Sequence, residues 1–151
     1  MNDKKILLVG GCGFIGHNLA LHLKHRGHTP VIVDSLSINN IYSIDNEEIK
    51  NQKLYKSILQ KKIELLKEKD IDLIVQDARD YNSISVLYSA IKPDIIIHLA
   101  AVSHANRSNK DPHTTFDHSL RTLENTLDYA KNNRAHIIYM SSSMVYGNFD
   151  K

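Results

Sequence analysis

The sequence predicts a doubly wound α/β fold, a parallel sheet of about five strands with helices on both faces. Three observations predict it: short apolar runs recur along the chain, a stretch of helical periodicity follows each of the first four, and a glycine-rich turn joins the first run to the first helical stretch. With 151 residues the chain is the usual size of one domain around one core.

Ile6-Leu7-Leu8-Val9 is wholly apolar and stopped by glycines, so it reads as a strand buried on both faces. Phe14 to Arg26 follows as a helix with Phe14, Ile15, Leu19 and Leu23 near helical spacing, and Gly27 supplies its stop. Val31-Ile32-Val33 is the second strand. From Tyr42 to Lys69 the pattern is helical in its second half, with Leu54, Ile58 and Leu65 on one stripe and Lys61, Lys62 and Lys67 off it. Ile71 to Val75 reads as the third strand and Tyr81 to Ile91 as a short helix. Asp94 to His98 is the fourth strand, Pro112 to Asn132 a long helix and His136 to Met140 the fifth strand. Strict alternation of this kind implies right-handed crossovers and hence a parallel sheet.

Composition narrows the function classes. Hydrophobic residues make up 42% and charged residues 24%, with six Gly and three Pro, as expected of a folded globular protein. The formal net charge is only +2 and the lysines are interleaved with carboxylates, so no nucleic-acid partner is expected. Cys12 stands alone, cannot form an internal disulfide and suits a reducing cytoplasm. The start resembles a signal peptide only superficially, because Gly10, Gly11 and Gly13 interrupt its apolar run. No run of 18 apolar residues exists, so no membrane span is expected. His22, His25 and His28 are spaced three apart, but no carboxylate completes a set and no metal site is expected. Neither a Gly-x-Ser-x-Gly elbow nor a Gly-Lys-Ser/Thr loop occurs.

The turn Gly10-Gly11-Cys12-Gly13-Phe14-Ile15-Gly16 carries the clearest chemistry. Gly10 permits a tight turn, Gly13 lets the backbone approach a pyrophosphate, and Gly16 lets the helix pack closely, while the helix N-terminus offers N–H groups to the anion. Asp34 ends the second strand 18 residues after Gly16, where a carboxylate can accept both ribose hydroxyls of an adenosine. A carboxylate there repels a 2′-phosphate and Ser35-Leu36-Ser37 brings no arginine, so NAD is expected over NADP. Asp34 is equally a residue type that caps a following turn.

These residues resemble the extended short-chain dehydrogenases/reductases, enzymes with a Rossmann fold that epimerise, dehydrate or reduce nucleotide sugars. The glycine spacing and its Gly-Phe-Ile-Gly ending are that family's variant. Asp77-Ala78-Arg79-Asp80 resembles the family's Asp-x-Arg-Asp segment, whose first aspartate faces the adenine. His98-Leu99-Ala100-Ala101 resembles the segment lining the cofactor's ribose and pyrophosphate. Ser141-Ser142-Ser143-Met144-Val145-Tyr146-Gly147 resembles the Ser-rich segment carrying the catalytic serine or threonine. The resemblance implies Ser142 as that residue, and Gly10, Gly13, Phe14, Ile15, Gly16, Asp34, Asp77, Ala78, Leu99, Ala100, Ala101, His118 and Ser141 as cofactor contacts. Bland alternatives exist for several of them. Asp77 could cap a helix, His98 could be a buried histidine with a backbone partner, and the serines could form a turn.

The resemblance also has gaps. The family's chemistry needs a tyrosine base with a lysine four residues later, in a helix after the Ser segment, and the sequence given stops at Lys151. Tyr88 and Lys92 have that spacing but lie on the crossover before the fourth strand, so they are a coincidence. The resemblance therefore implies an NAD-binding part whose last strands and substrate lobe lie outside these residues. An exposed fifth strand is then expected to pair with another chain. His118 stands where the family carries an asparagine, and Met144 where its 4,6-dehydratases carry an acid, so epimerisation or ketone reduction is implied. The competing reading is a non-catalytic NAD-binding module from a split or decayed gene.

Overall fold

The structure is a computed structural model and describes residues 3–37, 40–42, 44, 50–102 and 110–147. Its elements are β1 (Lys5–Val9), α1 (Phe14–His25), β2 (Thr29–Asp34), α2 (Gln52–Glu68), β3 (Asp72–Val75), α3 (Tyr81–Ile91) and β4 (Ile95–His98). There follow α4 (Pro112–Phe116), a π-helical turn (Asp117–Arg121), α5 (Thr122–Asn133), β5 (His136–Tyr139) and a 3₁₀ turn (Ser143–Tyr146). The five strands form one parallel sheet in the order β3-β2-β1-β4-β5. That order, with crossovers running outward from β1 in both directions, is the doubly wound Rossmann arrangement the sequence predicts.

Each face of the sheet has its own core. Ile6, Leu8 and Ile32 pack with Ala20 of α1 and Leu66 of α2. Leu7, Val9, Val33 and Ile96 pack with Ile84 and Tyr88 of α3 and Tyr129 of α5. Successive residues of β1 thus serve opposite faces, and both need to be apolar. Fully burying one such Leu or Ile contributes roughly 1.5–3 kcal/mol.

Two expectations need correction. The stripe Leu54, Ile58, Leu65 is not the buried face of α2: Leu54 and Ile58 are exposed, whereas Leu59 and Leu66 are buried and Ile63 packs beside them. Two apolar rows lie one residue apart on this helix, and the row that meets α1 and the sheet is the second. The stretch Pro112 to Asn132 is not one uninterrupted α-helix. Asp111 caps its start by accepting from the Thr114 N–H at 3.0 Å, Pro112 takes the first turn, and a full π turn follows before α5. In α1, Leu19 packs against the core and Leu23 joins it, but Phe14 is 82% exposed. β5 is an edge of the sheet, and Ile138 and Tyr139 on it are 41% and 50% exposed. No helix among the described residues is long and apolar enough to cross a membrane.

Candidate functional site

All five strands run the same way, so their C-terminal ends open on one rim of the sheet. β1 lies between β2 and β4, which places the strand-order reversal at the glycine turn. A crevice at such a switch point is where open parallel sheets bind ligands.

The glycines of the turn do different work. Gly10 has φ +72, donates its N–H to the Val33 carbonyl at 2.8 Å, and would drive a Cβ to 2.8 Å from the Ala100 Cα. Gly11 would clash with Leu8 Cβ at 2.7 Å. At Gly16 a Cβ would meet the Gly11 backbone, its Cα at 2.5 Å, so Gly16 lets the helix sit against the turn itself and not only against the sheet. Gly13 is the exception. Its φ is −71, and a Cβ there would meet only the Gly10 carbonyl at an ordinary 3.7 Å. Packing does not ask for glycine at 13. Position 13 is also the N-cap of α1 and supplies no side-chain cap, so the first-turn amides face outward from the rim.

Asp34 ends β2 beside this turn. One of its carboxylate oxygens, Oδ2, accepts from the Cys12 N–H at 2.9 Å, and Oδ1 accepts from the Leu36 N–H at 2.8 Å. It therefore does cap a turn, and it also ties that turn to the glycine loop. Each oxygen keeps a lone pair for a further donor. Burial pushes the Asp34 carboxyl up, against the pull of those two amides. Cys12 is free and buried, and burial pushes its thiol up as well.

On β1's other side, the Leu99 N–H reaches the Val9 carbonyl at 2.8 Å, and Ala100 lies against Gly10; Ala101 is exposed at the rim. His98 is only 1% exposed. Its ring lies between hydroxyls, Nδ1 at 3.2 Å from Thr126 Oγ1 and Nε2 at 3.4 Å from Thr122 Oγ1. Burial holds its pKa down at about 4, so the ring is neutral at pH 7.

After β3, Asp77 is engaged by Arg79, whose Nη2 lies 2.6 Å from Asp77 Oδ2, and the guanidinium holds that carboxyl below the usual carboxylate range. Ala78 is buried beside it. His118 lies on the π turn, with its carbonyl accepting from Thr122 Oγ1 at 2.9 Å, and its ring adds to the positive field on Asp77. Ser141 and Ser142 follow β5 and are exposed; the Ser142 carbonyl accepts from the Val145 N–H at 3.2 Å. The side chain of Met144 lies outside what the structure describes.

Tyr88 points into the core, where its hydroxyl lies 3.5 Å from Thr126 Oγ1. It is fully buried, meets Tyr129 edge to face at 5.4 Å and has its phenol pushed up to about 12. A proton acceptor needs the opposite shift and an open path to substrate. Among the described residues no group of three or more His, Cys, Asp or Glu could hold a metal.

Sequence reasoning passed over the residues that lock the rim from behind. Ser119 Oγ accepts from the Val102 N–H at 3.2 Å, and Asn125 Nδ2 donates to the Ala78 carbonyl at 2.8 Å. Thr122, Asn125 and Thr126 are all buried. Their signal was present as three polar residues on the face where a packed helix should be apolar.

A profile of the family described as NAD dependent epimerase/dehydratase matches residues 6–151. The chain belongs to that family. Among its relatives is Protein CapI of Staphylococcus aureus, 33% identical over 144 residues, covering 95% of this chain and 39% of that protein. The UDP-glucose 4-epimerase of Dictyostelium discoideum is 27% identical over 148 residues, covering 96% of this chain and 38% of its own length. The fold matches the UDP-Glc/GlcNAc 4-epimerase of Campylobacter jejuni with a TM-score of 0.76 at 22% identity, over 98% of this chain and 40% of that one. It also matches a UDP-glucose-4-epimerase from Stenotrophomonas maltophila, solved with bound NAD and formylated UDP-arabinopyranose, at TM-score 0.74 and 25% identity, over 98% of this chain and 40% of that one. This chain thus spans about two fifths of the length of these epimerase/dehydratase relatives.

Two outcomes are expected from this arrangement. Gly16→Ala should destabilise the fold by about 2 kcal/mol or more, because a Cβ meets backbone that cannot move aside, whereas Gly13→Ala should stay within about 1 kcal/mol. Urea denaturation of both variants checks the contrast. His98 should make the fold acid-sensitive: its folded pKa lies below the unfolded value of about 6.5, so its contribution is full above pH 6.5 and is lost as pH falls through about 4. The loss should approach about 3 kcal/mol, and His98→Gln should flatten the stability curve in that window.

Proposed function

We propose that this chain is the NAD-binding portion of an enzyme that acts on a nucleotide sugar. The observation that carries the reading is Gly13, a glycine the fold does not require, at an uncapped helix N-terminus on the switch-point rim. A residue kept small where packing leaves room fits a ligand that comes close to the backbone. Gly10, Gly13, Phe14, Ile15 and Gly16 would cradle the pyrophosphate, and Asp34, with lone pairs to spare, would hold the adenosine ribose. Asp77 and Ala78 would flank the base, Leu99, Ala100 and Ala101 would line the middle of the cofactor, and His118 and Ser141 would border its far side.

When bound, the nicotinamide ring takes up and returns a hydride. Ser142 would hydrogen-bond the sugar hydroxyl that reacts. Tyr88 does not serve as base in this reading, and turnover would need a tyrosine outside these 151 residues. Without that part, the chain alone would act as an NAD-binding module. Met144 in place of an acid favours epimerisation or ketone reduction over 4,6-dehydration. The free, buried thiol of Cys12 fits a reducing cytoplasm. The exposed flank of β5, with apolar Ile138 beside unpaired strand edge, supports pairing with another chain.

NAD should bind the purified chain at least ten-fold more tightly than NADP, because Asp34 would face the extra phosphate. Gly13→Val should abolish binding while the chain stays folded. Calorimetric titrations decide both, and equal affinity for NADP would overturn the role of Asp34. Light scattering should find self-association that a charged substitution, Ile138→Lys, reduces; a monomer at all concentrations would show that the β5 flank is not used.

A further inference from the structure

Arg79 is the centre of an ion ladder outside the glycine turn. Its Nε lies 3.1 and 3.0 Å from the two oxygens of Asp77, and its Nη1 reaches Asp117 Oδ2 at 2.7 Å. Asp117 in turn takes Arg121 Nε at 2.5 Å. One guanidinium therefore joins the loop after β3 to the π turn, 38 residues further along the chain. The same loop is held a second time, by Asn125 Nδ2 on the carbonyls of Ala78 and Arg79 at 2.8 and 3.2 Å.

Position gives the ladder its meaning. Asp34 pairs in register with Val75, and the Gln76 N–H donates to the Asp34 carbonyl at 3.1 Å. The loop beginning at Gln76 is thus the next structure beyond the carboxylate assigned to the ribose, on the side where the attached base would lie. With its carboxylate gripped by Arg79, Asp77 presents that base with an ordered loop in place of a mobile acid. A planar fork can hold two carboxylates at once, which a lysine's point charge cannot do with the same geometry.

We propose that Arg79 is a positioning residue for the adenosine half of the dinucleotide: by bridging Asp77 and Asp117 it holds the Asp77–Ala78 main chain at the place where the base docks. This inference rests on the NAD-binding reading. It assigns the π turn a purpose too, since that turn supplies the second carboxylate.

Calorimetric titration of the full chain with AMP, NAD and inorganic pyrophosphate tests it. Arg79→Gln should weaken AMP and NAD alike by roughly ten-fold and leave pyrophosphate unchanged, and Arg79→Lys should restore only part of the loss. Asp117→Asn, which keeps the Arg79–Asp77 pair, should weaken AMP by roughly three-fold, and the double variant should be no worse than Arg79→Gln alone. Unchanged AMP affinity in a folded Arg79→Gln chain would overturn the proposal, as would an equal loss for pyrophosphate. If Arg79→Gln does not fold, unchanged AMP affinity in Asp117→Asn overturns it. A wild-type chain that binds neither AMP nor NAD would instead remove the NAD-binding reading, and this inference with it.

Discussion

The arrangement depends on one steric constraint, the absence of room for a single carbon atom where the glycine turn meets its neighbours. A Cβ at Gly10 would meet the Ala100 backbone, one at Gly11 would meet Leu8, and one at Gly16 would meet Gly11. These contacts bring the segment after β4, β1 and α1 together at one point, with backbone as the nearest obstacle at Gly10 and Gly16. Close-packed interiors do not absorb an added methyl at such a place without moving a whole element. The N-terminus of α1 is therefore aimed at the rim by this packing. What the rim offers an anion follows from that aim: oriented amides and a helix end.

Electrostatics at the rim are kept quiet. His98 is buried and neutral, and the ladder Asp77, Arg79, Asp117, Arg121 alternates in sign and sums to zero. Asp34 stands outside this ladder, and burial shifts its carboxyl upward. A hydroxyl pair donating to its carboxylate would favour the ionised form and offset the cost of holding that charge away from water. The same carboxylate fastens Cys12 to β2, so the group that would choose the ligand also helps hold the turn in place.

Much of this was legible in the sequence, and the reason is locality. The strands are continuous apolar runs, and the glycine turn is a motif whose spacing reflects contacts among near neighbours. Asp34 was legible because it follows directly from the end of β2. Phase was harder to read. On α2 the choice between Leu54, Ile58 and Leu59, Leu66 depends on which side α1 and the sheet occupy, and an isolated helix carries both rows equally. The π turn was invisible because its side-chain partners lie elsewhere: Asp117 meets Arg79, and Ser119 meets Val102. A helix register chosen by contacts with two distant loops leaves no periodic trace.

Tyr88 and Lys92 show the same limit from the other side. Their spacing matches a catalytic pair, yet spacing only states that two side chains share a helix face, and topology decides what that face meets. Here Tyr88 meets Tyr129 and Thr126 in the core, while Lys92 caps the end of α3 at positive φ and is exposed. Burial then moves the phenol to about 12, the wrong direction for accepting a proton. Gly13 makes the complementary case. Nothing in its spacing separates it from Gly10 or Gly16, and the distinction emerges only when a Cβ is placed on each. Two of the three glycines answer to the fold, and the third has space around it.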